Sequence, residues 1–215
     1  MDEQTTSTTS ISGGGVNHLK SVIREKKKRG ELPGKVRKIF VVIGGNNFGR
    51  RDEENGGAKV VMSRKELEEM MTNFIRWILA ELPSIVIHTM DILPRKSVKA
   101  SFISGVRNWA GAVKCQDTLR HRHLSCLQVF SLQKRGYSGK GGKAKQAKEE
   151  GRITRFDIRQ EMYGNDGVHL SEVGKEVFIR MLSWMKSNDK GEFETEILPG
   201  AGEGHPIKLK AKYKF

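Results

Sequence analysis

The chain has 215 residues, 36% of them hydrophobic, which is low for a globular protein but sufficient for one domain core. Its 39 basic and 25 acidic residues give a formal charge of +14, compatible with nucleic acid, an acidic membrane surface, an anionic substrate or simply a solvated surface. Two cysteines exclude a disulfide framework, no apolar run suits a membrane span, and the polar N-terminus is unlike a signal peptide. We therefore expect an intracellular protein, cytoplasmic or nuclear.

The first predicted elements are a short strand and a helix. Alternating Thr, Ser and Ile in the first twelve residues are typical of a strand, and the glycines of SISGGG, Ser10 to Gly15, end it. Apolar residues at helical spacing predict an amphipathic helix from about Val16 to Arg29, with a basic block at its end.

A second strand and helix follow. The sequence VRKIFVVI, residues 36–43, ends in a continuous apolar run, which predicts a strand buried on both faces. It leads into GGNN, residues 44–47, and then a charged loop. Ser63 and Glu66 form a capping-box pattern that opens a helix with an apolar stripe, and Pro83 ends that helix.

The C-terminal half continues the alternation. Residues 84–93 read as a buried strand, 102–119 as a helix and 127–132 as a short strand. A Gly/Lys-rich loop without periodicity occupies 134–152, and an amphipathic helix is predicted over 171–185. Such alternation indicates an α/β protein with a mostly parallel sheet, in which ligands bind at the carboxyl ends of the strands.

The stretch NDGVH, residues 165–169, precedes the last helix and belongs at the same edge of the sheet as SISGGG and GGNN. It places Asp166 three residues before His169, a spacing that lets a carboxylate orient an imidazole acting as a general base. A helix-capping aspartate beside an ordinary surface histidine is the alternative. The convergence of three polar motifs on one edge favours a catalytic site.

Taken together, SISG, VVIGGNN and DGVHLSEVG resemble the SGNH (GDSL-like) hydrolases over roughly residues 10–188. The resemblance implies a flavodoxin-like three-layer α/β/α fold with a mostly parallel sheet. It also implies hydrolysis of a small carboxylic ester by Ser-His-Asp chemistry, with no metal and no cofactor. In that reading Asp166 is the orienter and His169 the general base.

The resemblance also assigns the oxyanion hole, the set of donors that stabilises the tetrahedral intermediate. Gly13 matches the glycine whose backbone N–H contributes, with Gly14 as the alternative, and Asn46 matches the side-chain donor. Gly45 supports the site by letting the backbone pass close to the substrate. Where many relatives carry aspartate after the asparagine, this chain has Asn47.

The family's first block, which supplies the nucleophilic serine in a Gly-Asp-Ser motif, has no counterpart in the sequence. Ser7, Ser10 and Ser12 belong to the strand that leads into the second block, and we do not expect them to reach His169. Three explanations are open: an incomplete gene model, which we favour, a degenerate copy of mobile-element origin, or a pseudoenzyme. The sheet should then leave a gap or pair its first strand directly with the third.

These patterns divide the chain into an SGNH-like domain, residues 1–188, and a basic C-terminal tail, residues 189–215. The loop 134–152 and the tail sequence IKLKAKYKF are the candidates for nucleic-acid contacts. The tail alternates lysine with apolar residues, as a strand does, but we favour solvated flexible segments for both regions. The alternative function is therefore a catalytically dead basic module that binds nucleic acid or an acidic partner.

Overall fold

The computed structural model describes residues 14–34, 36–45, 49–51, 58–60, 62–95, 109, 113, 117, 119–135, 154–198 and 205–214. The strand predicted within the first twelve residues lies outside these ranges. So do most of the helix predicted over 102–119, of which Trp109 and Val113 are described as helical, and nearly all of the loop 134–152.

Two of the described helices begin at serine caps. Those described are α1 (Val16–Lys28), α2 (Arg64–Glu81), the single turn α3 (Leu127–Phe130) and α4 (Glu172–Ser187), with a 3₁₀ turn at Gln160–Met162. Ser63 caps α2 with both halves of the predicted capping box. Ser171 caps α4, its hydroxyl accepting from the Gly174 N–H at 3.1 Å. The predicted helices at 16–29 and 171–185 are thus confirmed.

The strands of the described chain form one central sheet and two hairpins. They are β1 (Lys38–Val41), β2 (Gly49–Arg51), β3 (Ala58–Val60), β4 (Val86–Met90), β5 (His121–Ser125), β6 (Ser131–Arg135), β7 (Thr154–Ile158), β8 (Glu192–Ile197) and β9 (Ile207–Lys214). The central order is β1-β4-β5-β9-β8, while β2–β3 and β6–β7 pair separately. The pairs β1–β4 and β4–β5 are parallel, and β9 is antiparallel to both neighbours. The predicted α/β class with a mostly parallel sheet is confirmed.

Two hydrophobic clusters hold the helices to the sheet. The first joins α1 and α2 to β1 and β4, with Ile87 as a buried strand residue. The second joins α4 to β5, β8 and β9, with Met90, Leu124 and Tyr213 buried in it. Neighbouring strand residues point to opposite faces, so β4 contributes to both clusters. The three-layer arrangement remains a prediction, as does the missing first strand.

Two strand predictions are wrong in detail. β1 was expected to be buried on both faces, but only Val41 is buried, and among the described strands β1 has one neighbour and lies at the sheet edge. The strand expected at 127–132 is instead the turn α3 followed by the start of β6. The central strand is β5, whose sequence HRHLS looks polar although both histidines are buried. Nε2 of His121 lies 2.9 Å from the Thr89 hydroxyl, and Nε2 of His123 lies 3.1 Å from Asp91.

The prediction that the C-terminal tail is a solvated flexible segment is also wrong, because β8 and β9 complete the central sheet. Phe193, Leu209 and Tyr213 face the core. On the opposite face three lysines lie against glutamates: Lys212 with Glu192, Lys210 with Glu194 and Lys208 with Glu196. The apolar–lysine alternation of the tail is therefore the pattern of a half-buried strand with cross-strand ion pairs.

His88, in the centre of β4, is fully buried. Its Nδ1 lies 2.7 Å from the hydroxyl of Tyr213, and its Nε2 lies 3.4 Å from a carboxylate oxygen of Asp189. Burial lowers the pKa of His88 from 6.5 to about 4 despite the nearby Asp189. The folded protein therefore holds this imidazole neutral where the unfolded chain would protonate it.

This burial predicts a pH-dependent stability. Between pH 6.5 and about 4 the unfolded chain binds a proton at His88 that the folded protein does not. Stability should therefore fall as the pH falls through this window, with His88 contributing at most about 3 kcal/mol. In His88→Asn, whose amide can still meet the Tyr213 hydroxyl, the decline in urea unfolding free energy between pH 7 and 4.5 should be smaller. Equal declines in the two proteins would contradict this origin.

Candidate active site

The loop between the 3₁₀ turn and α4 carries the DGVH motif and is closed by its own backbone. Tyr163 and Leu170 form an antiparallel bridge across its base. Within it, the Gly164 N–H donates to the His169 carbonyl, and the Gly167 N–H donates to the Gly164 carbonyl, both at 2.9 Å. Gly167 has a φ of 61°, a left-handed conformation that glycine adopts without strain. The short loop therefore has a defined shape.

That shape brings Asp166 and His169 into contact. Oδ1 of Asp166 accepts from the backbone N–H groups of Val168 and His169, at 2.9 and 3.0 Å. Oδ2 lies 2.5 Å from Nδ1 of His169. The two side chains are thus hydrogen-bonded to each other. One carboxylate oxygen binds the backbone of the loop, and the other binds the imidazole.

The electrostatics of the pair favour a charged carboxylate. The N–H of Val168, the imidazole of His169 and the N–H of His169 all hold the pKa of Asp166 well below its usual range. An ionised Asp166 accepts from Nδ1–H and so places the imidazole lone pair on Nε2. The His169 side chain is 84% exposed, so a substrate can reach Nε2, and the arrangement can remove a proton.

The loop is held against α4 by a close approach of two backbones. The Ser171 N–H donates to the Met162 carbonyl at 3.0 Å, and the Ser171 hydroxyl donates to the Glu161 carbonyl at 2.5 Å. Gly174 faces Met162 so closely that an added Cβ would lie 2.9 Å from the Met162 carbonyl carbon. The glycine of the HLS-x-x-G pattern thus provides space for the turn that precedes the loop.

The sequence analysis did not single out one arginine at the carboxyl end of the sheet. Arg95 follows β4 at its carboxyl end, and its guanidinium packs on Gly45, where an added Cβ would lie 2.9 Å from Nη2. Burial lowers the pKa of Arg95, while the charge of Asp166 acts in the opposite direction. Gly45 was expected to let the backbone approach a substrate, and its described neighbour is this cation. No sequence motif marks Arg95.

Tyr163, which forms the bridge at the base of the loop, is 5% exposed. Burial raises the pKa of its phenol well above 10, with Arg95 acting in the opposite direction, so the group remains a hydroxyl. Within the described ranges its oxygen has no hydrogen-bond partner, an unusual state for a buried polar atom.

Behind the site, Asp91 fixes the corner between β4, β5 and α3. Its Oδ1 lies 3.1 Å from Nε2 of His123. Its Oδ2 accepts from the hydroxyl of Ser125 at 3.2 Å and from the N–H groups of Cys126 and Leu127 at 2.8 and 2.9 Å. Asp91 is 6% exposed, so this carboxylate anchors the frame on which the site is built.

The other predicted site residues, Gly13 and Asn46, lie outside the described residues, and their oxyanion roles remain predictions. In the part of the chain that the structure describes, no serine hydroxyl is hydrogen-bonded to Nε2 of His169. The described chain therefore presents the hydrogen-bonded pair of Asp166 and His169.

The basic regions gain little support as a nucleic-acid surface. In β9, Lys208, Lys210 and Lys212 are all paired with glutamates of β8, so their charges are locally balanced. The loop 134–152 is described only at its first two residues. Of the helices that the structure describes, none has both the length and the apolarity to cross a membrane.

No family model matches the chain, and no curated protein matches it. Among solved structures, the chain is similar to a protein from Streptococcus pneumonia described, as a provisional assignment, as a platelet activating factor. The two share 16% identity with a TM-score of 0.49, over 86% of this chain and 73% of that one. At this distance we transfer no residue role from that protein.

Proposed function

We propose that this chain is an acyl-hydrolase domain of the SGNH type, in which His169 is the general base for attack on a carboxylic ester and Asp166 orients it. The observation that carries the proposal is the 2.5 Å contact between Asp166 Oδ2 and His169 Nδ1, with Nε2 exposed. An aspartate that only capped the turn would accept from backbone N–H groups through one oxygen. It would not need the His169 imidazole on its second oxygen. The order of the motifs along an α/β chain supports the same conclusion.

A base of this kind accelerates acyl transfer by taking a proton from the attacking hydroxyl. The sequence contains no Gly-Asp-Ser block, so the proposal does not assign the nucleophile to a residue of this chain. The chemistry can still be tested if a small alcohol supplies the hydroxyl. His169 would take the methanol proton while the oxygen attacks the acetyl carbon of p-nitrophenyl acetate, and p-nitrophenolate would leave, giving methyl acetate.

We expect the wild-type chain to accelerate this methanolysis, with a rate that rises with methanol concentration. His169→Ala should lower the protein-dependent rate by about 10²-fold, the lower end of what general bases contribute. Asp166→Asn should lower it as well, because an amide donates to Nδ1 and leaves the imidazole in the wrong tautomer. Methyl acetate measured by gas chromatography and p-nitrophenolate measured by absorbance report the two products.

His205 provides the matched control, since it is an exposed histidine outside the loop, and His205→Ala should keep the wild-type rate. Equal rates in the wild type and His169→Ala would contradict the proposal. A stoichiometric burst of p-nitrophenolate without methanol would instead reveal a nucleophilic side chain within this chain. Labelling with a fluorophosphonate followed by peptide mass spectrometry would then locate it.

A further inference from the structure

We infer that the exposed face of α1 is a binding surface for duplex nucleic acid, which it contacts through the phosphate backbone without reading the base sequence. The contacting cations are Lys20, Arg24 and Lys28. α1 packs in the first hydrophobic cluster, whereas α4, which follows the loop of Asp166 and His169, packs in the second. The surface therefore shares no element with the candidate active site, and the inference is independent of the proposed function.

The first support is the concentration of positive charge on α1. Residues 16–29 contain six lysines and arginines and one acidic residue, Glu25. Lysines in the last turn of a helix complement the helix dipole, which would explain the cluster at 26–28 without a ligand. Lys20 and Arg24 lie before the last turn, so the dipole does not account for them.

The second support is that the cations of this region divide into two sets. Three are paired with carboxylates: Lys26 with Glu31, Lys27 with Glu81, and Arg29 with Glu25 and Glu31. In the part of the chain that the structure describes, the other three, Lys20, Arg24 and Lys28, form no ion pair with a carboxylate. Their spacing of four residues puts these three on one side of the helix, over a length of about 12 Å.

Trp77 of α2 holds two of these cations in place. The Nζ atom of Lys20 lies 5.4 Å from the centroid of the Trp77 ring, and Cζ of Arg24 lies 5.3 Å from it, within the range of cation–π attraction. The ring has no net charge, so the contact orders both side chains without neutralising them. Ordered side chains lose less conformational entropy on binding. Arg24 and Lys28 are exposed, so a phosphate can reach them.

The composition of this face favours nucleic acid over a membrane. A helix that lies in a lipid interface inserts an apolar face, but the apolar face of α1 is already used, since Val16 and Ile23 are buried in the core. None of the large hydrophobic side chains that are exposed in the described ranges belongs to α1. α1 therefore presents positive charge, and duplex DNA offers one phosphate per about 1.7 Å of its axis, or about seven over the length of the three cations.

The same face favours a duplex over a single strand. Proteins that bind single strands commonly stack the bases on aromatic rings. α1 contains no phenylalanine, tyrosine or tryptophan, and Lys20 and Arg24 lie over the ring of Trp77. Phosphate contacts position a protein on nucleic acid but carry no sequence information. We therefore expect equal affinity for duplexes of different sequence.

The test is fluorescence anisotropy of a labelled duplex DNA of about 20 base pairs, two helical turns, titrated with the full chain. Three phosphate contacts give a slope of about −2.7 in log affinity against log salt concentration, so affinity should fall about 40-fold between about 50 and 200 mM salt. The triple variant Lys20→Gln, Arg24→Gln, Lys28→Gln should bind more weakly and with a slope smaller in magnitude by about 2.7.

Glutamine has a helix propensity close to that of lysine and arginine, so the triple variant should keep the circular dichroism spectrum of the wild type. Lys28→Gln alone leaves the contacts of Trp77 intact and serves as the folded comparison if the triple variant does not fold. This single change should reduce the magnitude of the slope by about 0.9. An unchanged slope in Lys28→Gln would contradict a phosphate contact at this position.

The matched control is a second triple variant, Lys175→Gln, Lys208→Gln, Lys212→Gln. It removes the same number of charges from the total of +14, but on α4 and β9, where each of these lysines is exposed and paired with a glutamate. Its affinity and slope should stay close to those of the wild type. Equal losses in the two triple variants would overturn the inference, because they would indicate diffuse attraction by the net charge.

Two other probes can also overturn it. Binding to vesicles containing phosphatidylserine without binding to the duplex would identify an anionic membrane as the partner. Tighter binding of a single strand of the same length would indicate base stacking instead of duplex phosphate contacts. His169→Ala should bind the duplex as the wild type does, and Lys28→Gln should keep the wild-type rate of methanolysis, so this inference and the proposed function fail separately.

Discussion

Asp91→Ala is expected to lower the free energy of unfolding by about 3–5 kcal/mol, the range for removing one partner from a buried charged network. The carboxylate is 6% exposed and receives bonds from the Ser125 hydroxyl, two backbone N–H groups and the His123 ring. Alanine would leave these donors without an acceptor in a space that water cannot readily fill. Urea unfolding followed by circular dichroism at pH 7 measures the change.

Ser125→Ala is the matched control for this prediction. It removes the longest of the bonds to Oδ2, at 3.2 Å, and keeps the N–H donors of Cys126 and Leu127. Its cost should be about 1 kcal/mol, that of one ordinary hydrogen bond. If Asp91→Ala cost no more than Ser125→Ala, the carboxylate would not be the anchor of this corner, and the frame behind the site would need another explanation.

The elements that the sequence predicted well are those whose signals are local. α2 was recognised from Ser63 and Glu66, and both halves of that capping box are present. α1 and α4 follow their apolar stripes because a helix buries one face and repeats every 3.6 residues. In each case the residues that define the element lie within a few turns of one another.

The elements that were missed depend on contacts between distant segments. β5 looks polar in sequence, yet His121 and His123 are buried. The Thr89 hydroxyl meets one ring nitrogen of each, and Asp91 meets the other ring nitrogen of His123. β9 was interpreted as a flexible basic tail because its lysines are balanced only by the glutamates of β8. The pattern of a single sequence does not reveal such partners. Polar residues in a central strand are therefore easily assigned to an exposed segment.

The residues of the candidate site also fall into those with local partners and those with distant partners. Asp166 and His169 could be predicted because three residues of one loop contain both partners and the backbone donors that orient them. Arg95 could not, since it meets Gly45 from a segment about fifty residues away in the sequence. The pairing of neighbouring residues could be predicted from the sequence, whereas the contact between distant segments could not.

Gly174→Ala should destabilise the protein by about 2–3 kcal/mol, although the same change in an open helix would stabilise it by up to about 1 kcal/mol. The added methyl group would lie 2.9 Å from the Met162 carbonyl carbon, 3.1 Å from its Cα and closer still to its oxygen. These atoms belong to the backbone of the 3₁₀ turn and cannot rotate away as a side chain could. Thermal unfolding followed by circular dichroism measures the effect.

Gly164→Ala tests whether the loop tolerates a methyl group where there is room. Its Cβ would lie 3.7 Å from the His169 carbonyl oxygen and 3.8 Å from Asp166 Oδ1, which are ordinary contacts, so stability should change by less than about 1 kcal/mol. Gly174→Ala should also shift the NMR signals of His169, because moving α4 away from Met162 displaces both ends of the loop. If Gly174→Ala were neutral, that glycine would not be positioning the turn. With the expected loss, the glycine of HLS-x-x-G acts by packing, and it holds the turn at Met162 and the loop of Asp166 and His169 against α4.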